Sequence, residues 1–193
     1  EMGRFTGLKV QTTANLGAYL STFGSSVHTY LYCTLLAGQY KTPNIYVEVQ
    51  GAYTNPAPVD AYRGAGRPEA TYVVERIVEQ AARELGKDPA DLRRMNMIQP
   101  DDFPYETPVA LVYDTGNSEA SLDKALDIID YAGFEARRAV AAENGKRRGL
   151  GLACYIEACG LAPSKLAIEL GAGVGLYESG EIRVNPTGSV SVF

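Results

Sequence analysis

Ala61-Tyr62-Arg63-Gly64-Ala65-Gly66-Arg67-Pro68-Glu69-Ala70 is the stretch on which the reading of this chain turns. Two glycines flank one small residue, so the backbone can approach a ligand closely and adopt angles closed to other residues. Two arginines bracket the glycines. Pro68 stands where a helix can begin, because its missing N–H costs nothing at the first helical position. Behind it, Ala70, Val73, Val74, Ile77, Ala81 and Leu85 form an apolar stripe at helical spacing, and Gly86 stops the helix. An alternating segment, Ile45 to Thr54, precedes the stretch and predicts a strand. Asn55-Pro56-Ala57-Pro58 then forms a stiff connection to the glycine–arginine loop. A helix N-terminus with nearby arginines suits an anionic ligand. The same pattern also reads as a tight loop whose glycines merely let the helix pack. It is not a dinucleotide fingerprint, because the third glycine is missing. Nor is it a P-loop, which ends in Gly-Lys-Ser/Thr.

Working outward, Phe5 to Thr22 reads as β-like with bends at Gly7 and Gly17, and Val27 to Ala37 as a short helix. Asp88-Pro89-Ala90-Asp91 is a helix start, capped by Asp88 and running from Pro89 to about Met95. Gln99 to Pro104 is polar and proline-rich and marks a candidate domain boundary. Leu122, Ala125, Leu126 and Ile129 predict a helix interrupted at Gly133. A second helix follows from Phe134 to Glu143 and ends at Asn144-Gly145. Arg148 to Gly160 reads as a strand, with Leu150, Leu152 and Cys154 in phase. Ser179-Gly180 is a hairpin signal between Leu166–Tyr177 and Glu181–Val184. Asn185 to Gly188 makes a further turn before a strand from Ser189 to Phe193.

Composition excludes several classes of function. With 193 residues, 46% apolar and 21% charged, the chain has the balance of a globular protein that can bury a core. No apolar run is long enough for a membrane-spanning helix. The net charge of −5 and the scattered basic residues speak against nucleic acid. Cys33, Cys154 and Cys159 lack C-x-x-C spacing, which argues against an iron–sulfur cluster, a zinc site or a disulfide framework within this chain. His28 is the sole histidine, so a histidine-built metal site is excluded. No residue here is assigned as a metal ligand. Glu69 reads as a partner of the helix dipole and Asp60 as a loop hydrogen-bonder. Glu157 faces either a pocket or solvent.

The central stretch resembles the large subunits of molybdenum hydroxylases. Xanthine dehydrogenases carry Ala-Phe-Arg-Gly-Phe-Gly-Gly-Pro here, and CO-oxidising enzymes carry Ala-Tyr-Arg-Cys-Ser-Phe-Arg. Ala61-Tyr62-Arg63-Gly64-Ala65-Gly66-Arg67 is similar to the form II, CO-dehydrogenase-like group. Pro43-Asn44-Ile45, Thr54-Asn55 with Pro56 and Pro58, Asp91-Leu92-Arg93-Arg94-Met95-Asn96 and Arg148-Gly149-Leu150-Gly151 extend the resemblance across most of the chain.

The resemblance implies an α+β fold of mixed sheets with packed helices, an interior fragment holding parts of two molybdopterin-binding domains. Residues 1–100 would belong to the first, 101–116 to a linker and 117–193 to the second. It implies a molybdenum–molybdopterin cofactor, in the cytosine dinucleotide form, that oxidises a small substrate by water-derived hydroxylation. Electrons would pass to 2Fe-2S clusters and FAD on a small iron–sulfur subunit and a medium FAD subunit, in a cytoplasmic dimer of heterotrimers. Ala61, Tyr62, Arg63, Gly64, Ala65, Gly66 and Arg67 would bind the cofactor, and Gly64 and Ala65 would line the substrate pocket. Gly64 stands where CO-oxidising enzymes carry a copper-binding cysteine, so no copper is expected. Ala65 replaces the stacking phenylalanine of xanthine dehydrogenases, and Leu31 aligns with their purine-orienting arginine. The catalytic base would lie outside this chain, leaving the fragment inactive alone. The readings set against this one are a genuine CO-oxidising dehydrogenase and a phosphate-binding enzyme using the Gly64–Gly66 loop.

Overall fold

The computed structural model describes residues 2–157, 168 and 179–193. The chain divides into two compact units, Glu1–Ile156 and Glu157–Phe193. In the first, β1 (Leu8–Asn15) and β2 (Ile45–Ala52) pair in parallel, with Leu8 opposite Ile45 and Asn15 opposite Ala52. Along β1, Val10 and Ala14 are buried while Lys9, Gln11 and Thr13 are exposed, the two-residue period of a half-covered strand. Parallel strands need a crossover. Here it contains the short helix α1 (Gly24–Ser26), a π-helical turn (Val27–Leu31) and turns reaching Gly38, whose φ is +55°. The extended segment expected from Phe5 to Thr22 is therefore shorter. It ends where Gly17, at φ +77°, brings its α-carbon so close to Ala57 that a Cβ would lie 2.4 Å from the Ala57 carbonyl oxygen.

Helix α2 (Arg67–Leu85) starts one residue before Pro68 and closes on Gly86, at φ +62°. Its buried residues are Ala70, Val74, Glu75, Val78 and Ala82. The expected stripe is thus rotated, because Ile77 and Leu85 are 51% and 52% exposed. The helix carries apolar residues over a wide arc, and the i, i+4 row centred on Val74 and Val78 is the one that meets the core. Beside that row a glutamate, Glu75, is buried as well, which the spacing does not predict.

Glu75 is buried because α3 (Pro89–Asn96) brings it a partner. Asp88 Oδ1 accepts from the amides of Ala90 (2.8 Å) and Asp91 (3.1 Å), fixing the start of α3. One turn later Arg93, 0% exposed, donates from Nε to Glu75 Oε2 at 3.0 Å. Its Nη1 donates to Glu79 Oε2 at 3.3 Å and to the Pro89 carbonyl at 3.0 Å. Tyr40 Oη donates to Glu75 Oε1 at 2.5 Å. Burial pushes the Tyr40 hydroxyl pKa up, and the Glu75 charge pushes it further. Burial alone would lower the Arg93 pKa, but the Glu75 carboxylate beside it outweighs that and raises it. Asn96 closes the other end of α3, donating to the Gly3 and Leu92 carbonyls and accepting from the Phe5 amide.

The same network explains why residues 148–157 are not a strand. Cys154 N donates to Glu75 Oε2 at 2.8 Å, the Leu152 carbonyl accepts from Arg93 Nη2 at 3.2 Å, and the Tyr155 carbonyl accepts from Gln39 Nε2 at 2.5 Å. Burial alternates along residues 151–156, as the sequence alternation suggests, but side chains take the backbone groups that a ladder would use. Gly160, the expected end of that strand, lies outside the described residues.

Between these parts, β3 (Tyr105–Glu106) and β4 (Val112–Tyr113) form a short antiparallel pair. Asn117 caps α4 (Ser118–Ile128) by accepting from the Ala120 amide at 3.1 Å. Helix α5 (Phe134–Glu143) follows the break at Gly133 and ends at Asn144-Gly145, as expected. In the second unit, β5 (Ile182–Val184) and β6 (Val190–Val192) form an antiparallel hairpin around Asn185–Gly188. Gly188 takes φ +85° and its amide donates to the Asn185 carbonyl at 2.8 Å. Of the expected Leu166–Tyr177 strand, on which the Ser179-Gly180 hairpin signal depends, only Ile168 is among the described residues, and it is helical rather than extended. The fold is α+β, with small sheets of both senses and packed helices.

Glu75→Ala should cost about 3–5 kcal/mol in a denaturant titration, because it leaves the Arg93 charge buried without its main partner. The double substitution Glu75→Leu with Arg93→Met should cost less than either single change, since it removes both charges together.

Candidate functional site

The site grows from the carboxyl ends of the two parallel strands. Leaving β1 and β2, the chain forms two loops that bond to each other. Thr54 N donates to the Gly17 carbonyl at 2.9 Å, Ala18 N to Pro56 at 3.0 Å, and Ser21 Oγ to Val59 at 2.9 Å. In open sheets this end is where ligands bind. The second loop continues into Ala61–Arg67. Asp60 Oδ1 accepts from the Ala61 amide at 2.7 Å, the loop role expected for it.

Gly64 and Gly66 make two β-turns in tandem. The Ala65 amide donates to the Tyr62 carbonyl and the Arg67 amide to the Gly64 carbonyl, both at 2.9 Å. Both glycines take φ +84° at the third position of their turns, where a type II turn demands glycine. They differ in surroundings. Gly66 is buried and serves as N-cap of α2, and a Cβ there would lie 2.6 Å from Leu31 Cβ and 2.7 Å from the Tyr32 amide nitrogen. Gly64 and Ala65 are half-buried. Ala61, Tyr62 and Arg63 are exposed, Tyr62 by 87%. Among the described residues no carboxylate pairs with Arg63. The loop thus turns Gly66 inward against the protein, leaves Gly64 and Ala65 half-buried and presents Tyr62 and Arg63 outward.

Residues read separately in the sequence meet behind this loop. Leu31, on the π-helical turn, supports Gly66 directly. His28, from the same turn, places Nδ1 3.2 Å from Oε1 of Glu69 in the first turn of α2. Glu69 is at the helix start, as expected, and its pairing with His28 adds a contact that no sequence spacing signals. Cys33 is half-buried with its thiol pKa raised by burial. The Cys154 thiol is pushed up to about 11, by burial first and the Glu75 charge second, which marks it as an inert structural thiol. Cys159 lies outside the described residues, and Glu157 is exposed. Among the described residues no group of three His, Cys, Asp or Glu side chains is arranged to hold a metal ion. No described helix is long and apolar enough to cross a membrane.

Two family models match the chain, both described as molybdopterin cofactor-binding domain, over residues 1–97 and 124–193. The chain belongs to the molybdopterin cofactor-binding family. The glycine–arginine loop lies in the first of these matched regions, and the Glu75–Arg93 network holds residues of the second, Leu152 and Cys154, to residues of the first. The carbon monoxide dehydrogenase large chain of Hydrogenophaga pseudoflava is 36% identical over 97% of this chain and 24% of its own length. Quinoline 2-oxidoreductase from Pseudomonas putida 86 superposes with a TM-score of 0.84 at 30% identity, over 98% of this chain and 24% of that one. Reconstituted CO dehydrogenase from Oligotropha carboxidovorans gives a TM-score of 0.79 at 33% identity, over 98% and 24%. The chain therefore spans about a quarter of the length of these molybdopterin relatives.

An exposed guanidinium beside a left-handed glycine turn, next to a helix N-terminus, suits an anionic group, which is the chemistry such a cofactor presents.

Gly66→Ala should destabilise the protein by about 1–3 kcal/mol through left-handed strain and the clash with Leu31. Gly64→Ala, with the same φ but outside the buried seat, should cost less. Chemical denaturation of the two variants side by side checks the order.

Proposed function

We propose that this chain is part of the catalytic, molybdenum-cofactor-binding large subunit of a CO-dehydrogenase-like molybdenum hydroxylase. The observation that carries the proposal is the tandem-turn loop Tyr62–Arg67. It is anchored through Gly66 and directs Arg63 outward in a chain of the molybdopterin cofactor-binding family. Ala61 to Arg67 would lie along the cofactor, with Gly64 and Ala65 lining the substrate pocket. Residues 1–100 form the first cofactor-binding domain, 101–116 a linker and 117–193 the start of the second. When bound, the cofactor, in its cytosine dinucleotide form, supplies the two-electron oxidation of a small substrate with oxygen from water. Arg63 contributes a guanidinium cation that offsets negative charge beside it. The glycine and alanine give the pocket a small, uncharged wall. Electrons leave through 2Fe-2S and FAD groups on partner subunits, in a soluble cytoplasmic dimer of heterotrimers.

The similarity to CO dehydrogenases extends the question to copper. Soft Cu(I) favours thiolate ligands, and Gly64 has no side chain with which to bind it. Cys154 is engaged at the Glu75–Tyr40 network, and Cys33 sits on the helical turns after Leu31. The enzyme is accordingly copper-free, and its substrate is a small carbonyl or heteroaromatic compound rather than CO.

Metal analysis of the complete subunit, purified with its partners, should give molybdenum without stoichiometric copper, and CO should not reduce its clusters. Copper at one per molybdenum together with CO-driven reduction would establish a CO-oxidising enzyme instead. Arg63→Ala should raise the transition-state barrier by about 2.7–4 kcal/mol, the usual loss for one preorganised charge-stabilising group, at unchanged molybdenum content. Its effect on folding stability should stay within about 0.5 kcal/mol, as for an exposed side chain. Wild-type turnover of that variant with full molybdenum occupancy would remove Arg63 from the site.

A further inference from the structure

The His28–Glu69 pair lies outside the motif and has no part in the proposed chemistry. It joins the two elements between which the motif loop is seated. His28 belongs to the π-helical turn Val27–Leu31, a backbone irregularity that recurs at functional sites. The end of that turn forms the floor under Gly66, through Leu31 Cβ and the Tyr32 amide nitrogen. Glu69 is in the first turn of α2, three residues beyond Gly66, and the Ala70 amide that follows it donates to the Gly66 carbonyl at 3.1 Å. The loop is thus held from two sides, by a floor from the crossover and a hinge from α2. His28 Nδ1 and Glu69 Oε1, 3.2 Å apart, form the polar tie between them.

Both side chains of the tie are partly withdrawn from water, His28 to 27% and Glu69 to 36% exposure. Glu69 Oε2 is buried and has no hydrogen-bond partner among the described residues. A carboxylate partly withdrawn from water needs a compensating donor or cation. The polar group beside the other oxygen is His28 Nδ1, 3.2 Å away. The contact of Leu31 and Tyr32 with Gly66 is close packing, which fixes separation but not orientation.

We infer that His28 and Glu69 are a positioning pair that clamps the π-helical turn to the first turn of α2 and so fixes the orientation of the Tyr62–Arg67 loop. The functional consequence rests on the reading of that loop as a cofactor-binding element, whereas the clamp itself does not.

The test is amide hydrogen exchange on the complete large subunit, wild type and four variants: His28→Ala, Glu69→Ala, the double, and His28→Asn. The amides of Ala65, Arg67 and Ala70 report the loop. Each alanine variant should speed their exchange about tenfold, the loss of one charge-assisted contact. The double should exchange no faster than either single. His28→Asn, whose side-chain amide puts a donor near the place of Nδ1, should keep most of the protection. Exchange in Leu8–Asn15 and Pro89–Asn96 should not change. In loaded enzyme kcat should fall with little change in KM, because the substrate contacts remain. Unchanged loop exchange in both single variants, additive effects in the double, or acceleration spread through β1 and α3 would overturn the inference. Molybdenum analysis of the same wild-type sample separates the two proposals. A metal-free subunit would overturn the cofactor reading while the exchange result still decides the clamp.

Discussion

A buried ion pair, Glu75 with Arg93, is the constraint on which the first unit depends. Neither residue is accessible, so each needs the other, and neither α2 nor α3 can bury its inner face unless both arrive together. Once formed, the pair recruits more. Tyr40 satisfies one carboxylate oxygen and the Cys154 amide the other, while the guanidinium also serves Glu79, Pro89 and Leu152. Four separate stretches of chain meet at one polar centre. Such a network adds less net stability than an apolar core of equal volume, but only one arrangement of the four stretches satisfies every group. That specificity matters here because the sheets of this unit are only two strands each and do little to define its topology.

The parts of the fold governed by local chemistry were legible in the sequence. Gly66, Pro68 and Gly86 mark the ends of α2 to within a residue, and Asp88-Pro89 marks the start of α3. Gly133 and Asn144-Gly145 delimit α5 in the same way. Features that depend on distant residues were not legible. The parallel pairing of β1 and β2 leaves no mark in either strand beyond alternation. Glu75 meets Arg93 eighteen positions later and Tyr40 thirty-five earlier, so periodicity alone assigns a lone glutamate to solvent. The 148–157 segment shows the opposite failure: its alternation is real, and its burial is alternate, but its hydrogen-bond partners are side chains.

At the candidate site, the motif located the loop and structure divided the labour within it. Two glycines that look equivalent in sequence are not equivalent in space. Gly66 is required by its seat on Leu31, so part of the glycine pattern is structural, as a packing-only reading would have it. Gly64 takes the same left-handed φ in its own turn and is only half-buried. Arg63 projects outward from that rigid support, and the flanking contact between His28 and Glu69 comes from residues whose types gave no reason to connect them. The loop is therefore best understood as a stiff platform built from the crossover and α2, whose outward edge is left for a ligand.

The central claim is that this outward edge faces the molybdenum cofactor. An experimental structure of the complete subunit with its cofactor bound tests it most directly. The account predicts the Arg63 side chain and the Gly64–Ala65 backbone within about 4 Å of the cofactor, with Gly66 still seated on Leu31. A cofactor bound elsewhere, with Arg63 and Gly64 in solvent or against another protein segment, would contradict it.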